Sequence, residues 1–194
     1  MLYNFVVRLV GVVLWPIYRL KVVGSENIPK GPAVVCGNHT ANIDSVMLFL
    51  AFKLKERPAV IAKAELFKTA IARWFFPKMG IFPVHRGKAD LTAIKKSLSV
   101  LKNGQKLIIF PEGTRVKSGE LGDGKSGAAM FAMRTSSPVL PVYITPGKKA
   151  FRGCTVTFGK PFYLPKPEKA DAAAYKEAAE VIMQKIAETG EKAQ

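Results

Sequence analysis

The chain of 194 residues holds two histidines, His39 and His85. The first stands in the run NHTANID, five residues before Asp44. A neutral imidazole can take a proton from an alcohol, while a carboxylate on its other nitrogen fixes its tautomer and stabilises the imidazolium. On one continuous helix this spacing would set the two side chains about 140° apart in azimuth. They meet only if a tight loop carries His39 and a helix begins near Asp44. The apolar run AVVCG supplies a strand before the loop, and SVMLFLAFKLK supplies a helix after it. The same placement also suits a plainer arrangement, with Asp44 as an N-cap and His39 as a loop residue. No G-x-S-x-G segment offers a serine nucleophile, and Cys36, on the apolar strand, reads as inert core. If the pair forms, the alcohol it activates belongs to a substrate, which points to direct acyl transfer onto a bound hydroxyl.

Cations follow at two further strand ends. KLIIF runs into Pro111, Glu112, Gly113, Thr114 and Arg115. That series offers a backbone amide, a hydroxyl and a guanidinium, which suit a phosphate. GIFPVHRG at 80–87 brings Arg86. Each arginine alone reads as a surface charge; beside the histidine pair they imply an anionic acceptor. Residues 119–126, GELGDGKS, also fit a phosphate-loop pattern. Such a loop should follow directly on a strand, and here PEGTRVKS intervenes, so the segment reads as a glycine loop leading into the helix KSGAAMFAM.

In order and interval, NHxxxxD, G-I-F-x-V-x-R, FPEGTR and V-L-P-V resemble the four blocks of the 1-acylglycerol-3-phosphate (lysophosphatidic acid) acyltransferase family, over roughly residues 22–165. The resemblance implies His39 as general base with Asp44 as its partner. It implies an acceptor-phosphate site at Arg86, Glu112, Gly113, Thr114 and Arg115, and a donor site shaped by Pro141. Lys63, in IAKAELF, is similar to a family lysine near the oxyanion, and equally to any exposed lysine. The implied reaction moves a fatty acyl group from acyl-CoA or acyl carrier protein to 1-acylglycerol-3-phosphate, with no metal, no other cofactor and no covalent enzyme intermediate. The implied fold is a mixed central sheet flanked by helices. Two positions depart from the family pattern: Ala41 stands where Ser or Thr is frequent, and His85 where an acidic residue is frequent.

The elements that must position these groups alternate. Short β-branched runs at Ala33–Cys36, Pro58–Ala62, Lys106–Phe110, Pro138–Thr145 and Cys154–Phe158 are separated by helical patterns. A helix is expected over Ser45–Lys55, and another through Leu91, Ile94, Leu98 and Leu101 with Asp90 as N-cap and Gly104 just past its end. A terminal helix over 168–189 carries a stripe of Tyr175, Ala178, Ile182 and Ile186. This order argues for one α/β domain over residues 21–194.

Residues 1–20 stand apart. Their uninterrupted apolar run, Leu9–Tyr18, contains Pro16 and is far short of the roughly 20 residues that cross a bilayer. An interfacial helix is expected there, with Trp15 and Tyr18 at headgroup depth and Arg8, Arg19 and Lys21 on acidic lipid; packing on the domain's own core is the alternative. IARWFFPKM at 71–79 offers a second patch of the same kind.

The net charge is +16. Residues 168–194 hold six acids and four bases, so the excess of positive charge sits on the body of the protein. No basic arm or interleaved aromatic platform suggests nucleic acid, whereas membrane lipid, a phosphorylated acceptor and an acidic carrier all fit. Glycerol-3-phosphate or another lysophospholipid as acceptor, or anionic-lipid binding without catalysis, would use the same residues. Two cysteines make no disulfide scaffold; reduced thiols and the absence of an export signal point to the cytoplasmic face of a membrane. Acyl-chain length and oligomeric state leave no mark in the sequence.

Overall fold

The computed structural model describes residues 1–52, 54, 56–87, 89–116, 121–165 and 171–192. Among the described residues seven strands make one sheet: β1 Leu20–Val23, β2 Ala33–Gly37, β3 Ala59–Lys63, β4 Ile81–Val84, β5 Lys106–Ile109, β6 Val139–Ile144 and β7 Cys154–Phe158. Their order is β1-β7-β6-β2-β5-β3-β4. Every neighbouring pair is parallel except β6 with β7. The helices are α1 Leu2–Tyr18, α2 Asp44–Ala51, α3 Ala70–Lys78, α4 Leu91–Lys102, α5 Gly127–Thr135 and α6 Ala172–Glu191.

Both faces of the sheet are covered. Alternation along β2 sends Ala33 and Val35 into a core with α1 and α2, and Val34 and Cys36 into a second core with α4, α5 and α6. In α6 the stripe of Tyr175, Ala178, Ile182 and Ile186 is buried as its spacing requires. Asp90 caps α4 by accepting the Ala93 amide at 3.0 Å, and Gly104, at φ +76, follows the helix end.

Four observations adjust the expected elements. The segment after α1 turns at Arg19 in the left-handed region and enters the edge strand β1, which the charged and mixed run RLKVV did not signal. Helix α2 starts at Asp44 and ends at Ala51, short of the expected Lys55; Lys53 and Lys55 lie outside the described residues. The start of the expected terminal helix, 168–170, also lies outside them, and α6 begins after an Asp171 cap. Asp44 does not cap α2: the cap position is Ile43, and no side-chain cap bond forms there.

Helix α1 is apolar on more than one side. Tyr3 and Val7 are buried against the domain, and Leu50 of α2 lies close beside Gly11. Phe5, Leu9, Val12 and Val13 face outward, as do Ile71 and Trp74 of α3. No helix among the described residues is long and apolar enough to cross a membrane.

Candidate active site

Because β2, β3, β4 and β5 are parallel, their carboxyl ends open on one edge of the sheet, where α/β folds place their ligands. His39 follows the end of β2. Its Nδ1 lies 3.1 Å from Asp44 Oδ2, and its ring stacks on Phe110 at a centroid distance of 4.2 Å. The same Asp44 oxygen accepts the backbone amides of Thr40 at 2.7 Å and Ala41 at 2.8 Å. The loop is therefore wound around the carboxylate. Burial pushes the Asp44 carboxyl up, but the His39 and Ala41 hydrogen bonds and the Lys148 ammonium together hold it below the usual 3.8. An ionised carboxylate only accepts hydrogen bonds, so a neutral imidazole paired with it carries its proton on Nδ1 and leaves the Nε2 lone pair free.

The backbone of His39 is held as firmly as its ring. Its amide donates to Glu112 Oε2 at 2.8 Å, and its carbonyl accepts the Val116 amide at 2.9 Å. These bonds tie the PEGTR turn at the end of β5 across to the end of β2. Glu112 also accepts the Gly122 amide at 3.3 Å. Burial raises the Glu112 carboxyl, and the two amides only partly offset it. Asn38, which the sequence reading did not single out, locks the far side of the loop. Its side chain donates to the Ile144 carbonyl at 2.9 Å and accepts the Ile144 amide at 2.7 Å, joining β2 to β6. A polar residue ending an apolar strand was the available signal.

A cavity of about 960 Å³ opens beside His39. Its lining includes the apolar side chains of Phe49, Ile61, Leu66, Phe76, Ile94 and Phe131. Lys63, Arg86, Gly113, Arg115 and Lys125 bring the backbone turn and the cations to the same cavity. The structure thus brings together His39, Asp44, Lys63, Arg86, Gly113 and Arg115. Thr114 is exposed and outside the cavity lining, and the Glu112 carboxylate is turned to the backbone of His39. Pro141 sits buried within β6, level with Cys36 and against Gly159, and does not line the cavity.

Lys125 is a second residue the sequence reading passed over. It belongs to the GELGDGKS segment, of which Gly119 and Glu120 lie outside the described residues. The loop from Phe110 to Ser126 separates β5 from α5, so no strand feeds it directly. Gly113 has φ +69, and a Cβ there would lie 2.8 Å from Lys125 Cδ and Cε, so the glycine makes room for this lysine. His85 forms a second imidazole–carboxylate pair at the rim, with Nδ1 2.9 Å from Asp90 Oδ2. Amides of Ala93 and His85 and the His85 ring hold Asp90 below the usual carboxylate range.

The His39–Asp44 pair thus lies on a cavity lined by both cations and apolar side chains, and the chain belongs to the acyltransferase family, whose model matches residues 19–145. It is 31% identical to the chloroplastic 1-acyl-sn-glycerol-3-phosphate acyltransferase LPAT1 of Arabidopsis thaliana, over 72% of this chain and 40% of that protein. The 1-acyl-sn-glycerol-3-phosphate acyltransferase of Streptococcus pneumoniae is also 31% identical, over 75% of this chain and 54% of its own length. The chain therefore matches about half or less of the length of these curated relatives. The crystal structure of the 1-acyl-sn-glycerophosphate acyltransferase PlsC from Thermotoga maritima shares the fold, with a TM-score of 0.70 and 26% identity, over 96% of this chain and 80% of that one.

Proposed function

We propose that the chain transfers a fatty acyl group from an acyl thioester, carried by CoA or acyl carrier protein, to the free hydroxyl of 1-acylglycerol-3-phosphate, giving phosphatidic acid. The observation that carries this reading is the His39–Asp44 pair, with His39 on the lining of a cavity that holds both apolar side chains and cations. The acceptor's acyl chain lies along the apolar side chains of the cavity, and its phosphate meets Arg86 and Arg115, with Lys125 as a further cation. His39 Nε2 takes the proton of the hydroxyl as its oxygen attacks the thioester carbonyl. Asp44 stabilises the imidazolium, which returns the proton to the leaving thiolate. General-base help of this kind gives about 10²–10⁴ in rate, and positioning supplies much of the remainder. Glu112 acts through the backbone of His39. Lys63, at the end of β3, lies on the same cavity and suits the oxyanion that develops on the carbonyl.

The protein reaches its lipid substrate by seating the exposed apolar side of α1 and the Ile71–Trp74 patch of α3 in the cytoplasmic face of a membrane, where the excess of positive charge favours anionic headgroups. Phe76 of α3 lines the cavity, so the same helix connects that patch to the acceptor site. The test is product identification with acyl-CoA and either lysophosphatidic acid or glycerol-3-phosphate, for wild type and Arg115→Ala. Phosphatidic acid formed from the lysolipid, with an acceptor KM raised at least tenfold in the variant, is the expected result. A preference for glycerol-3-phosphate, or an unchanged KM, would overturn the acceptor assignment.

A further inference from the structure

One side chain outside the residues assigned so far combines charge, complete burial and a direct contact on the dyad. Lys148 lies in the loop between β6 and β7, and its side chain, like that of Asp44, is 0% exposed. Its Nζ sits 2.7 Å from Asp44 Oδ1. It also donates to the Thr145 carbonyl at 2.5 Å and to Thr40 Oγ1 at 3.2 Å. Two of the ammonium's three donors go to Thr145 and Thr40, and Asp44 Oδ1, which has no hydrogen-bond partner among the described residues, meets the cation as an ion pair. Removing such a group from water is costly unless it is paired, and an apolar side chain of similar length fills the same space at less cost. The loop is built to deliver it. Thr145 donates its amide to Thr155, and Phe151 donates its amide to Ile17 at the end of α1, so both ends of the loop are fixed.

We propose that Lys148 is a positioning residue of the dyad: its ammonium holds the second oxygen of Asp44, keeps the first aimed at His39 Nδ1, and offsets the carboxylate's charge so that His39 stays a neutral base. The inference rests on the reading of His39 as general base. A carboxylate beside an imidazole favours the protonated ring, and a cation on the carboxylate's other oxygen opposes that. Among the described residues, the other charges facing His39 are Glu112 and Arg115 from the β5 turn and Lys125 before α5, with Lys63, Arg86 and the His85–Asp90 pair across the cavity. None of these makes an ion pair with Asp44 among the described residues, so a Lys148 substitution changes one term and leaves the others in place.

Lys148→Met keeps an unbranched side chain one atom shorter and removes its charge. Lys148→Gln also keeps a donor for Thr145, and is read in parallel in case the lost hydrogen bonds unfold the first variant. The acidic limb of kcat/KM should move to higher pH, so that the ratio of wild-type to variant activity is about tenfold larger near pH 6 than near pH 9. A merely structural role would lower activity by the same factor at every pH. With two histidines in the chain, an NMR titration reads His39 directly, as the imidazole signal missing from His39→Ala. His39 titrating at higher pH in both Lys148 variants supports the inference, and an unmoved titration overturns it. Full activity of His39→Ala would instead defeat the general-base reading, and the NMR result still decides whether Lys148 acts on His39.

Discussion

Asp44→Asn tests how much of the chemistry depends on the carboxylate at the centre of the loop. Asp44 Oδ2 accepts three N–H groups, from His39, Thr40 and Ala41, while Oδ1 faces Lys148. An asparagine can present its oxygen to only one of these two sides. If the oxygen stays with the amides, the new NH₂ points at the Lys148 ammonium, donor against donor, and a buried cation loses its partner. Breaking a buried pair in this way costs about 3–5 kcal/mol. If the side chain flips, the NH₂ faces His39 Nδ1 and selects the tautomer with its proton on Nε2, which is then no base. The flipped orientation removes the base, and both orientations remove the negative charge that stabilises the imidazolium, so kcat/KM should fall by about 10²–10⁴, or about 3–5 kcal/mol of transition-state stabilisation. The assay is thioester-dependent acylation of lysophosphatidic acid at a temperature where circular dichroism shows the variant folded. A pH series adds the sign. The Asp44 carboxyl is held below its usual 3.8 in the folded protein. Its contribution to stability is therefore present above that value and is lost as pH falls through the folded pKa. Wild type should lose this part of its stability at acid pH, and the variant should lack that dependence. Folded Asp44→Asn with kcat/KM within about threefold of wild type would refute the reasoning, because the expected loss for a general base is at least about 10².

Two further outcomes follow from the geometry. Gly113→Ala should lower stability by about 1–2 kcal/mol, because its φ of +69 is strained for alanine and the new Cβ meets Lys125; thermal melting and the acceptor KM report the two consequences. Replacing Val12 and Ile71, 76% and 78% exposed, by aspartate should weaken flotation with anionic vesicles and leave turnover of a short-chain soluble acceptor near wild type.

The sequence was most informative where local chemistry and pattern agree. Alternating apolar runs marked five strands because their residues are buried on both faces. Asp90 and the α6 stripe were readable because caps and helical spacing are local. Strand β1 was not: it is an edge strand of four residues with Lys21 and Val23 exposed, and it pairs with β7 more than a hundred residues away. The pairing of His39 with Asp44 was legible as a spacing, but the amides of Thr40 and Ala41 that wind the loop around the carboxylate are backbone geometry, which residue types do not announce. Glu112 was legible as part of a motif and not in its orientation, because its partners are backbone amides on two other segments. Lys125 and Lys148 were invisible for a different reason. A lysine in a loop reads as solvent-exposed, and only the tertiary fold brings one beside Gly113 and the other beneath Asp44.

The most direct measurement is thiol release from palmitoyl-CoA in detergent micelles, with and without lysophosphatidic acid, for wild type and His39→Ala. Release that requires the acceptor and falls at least about 10² in the variant is the result expected for a general base acting on a substrate hydroxyl. Release without acceptor would indicate thioester hydrolysis, and acceptor-dependent release undiminished in folded His39→Ala would contradict the role assigned to His39.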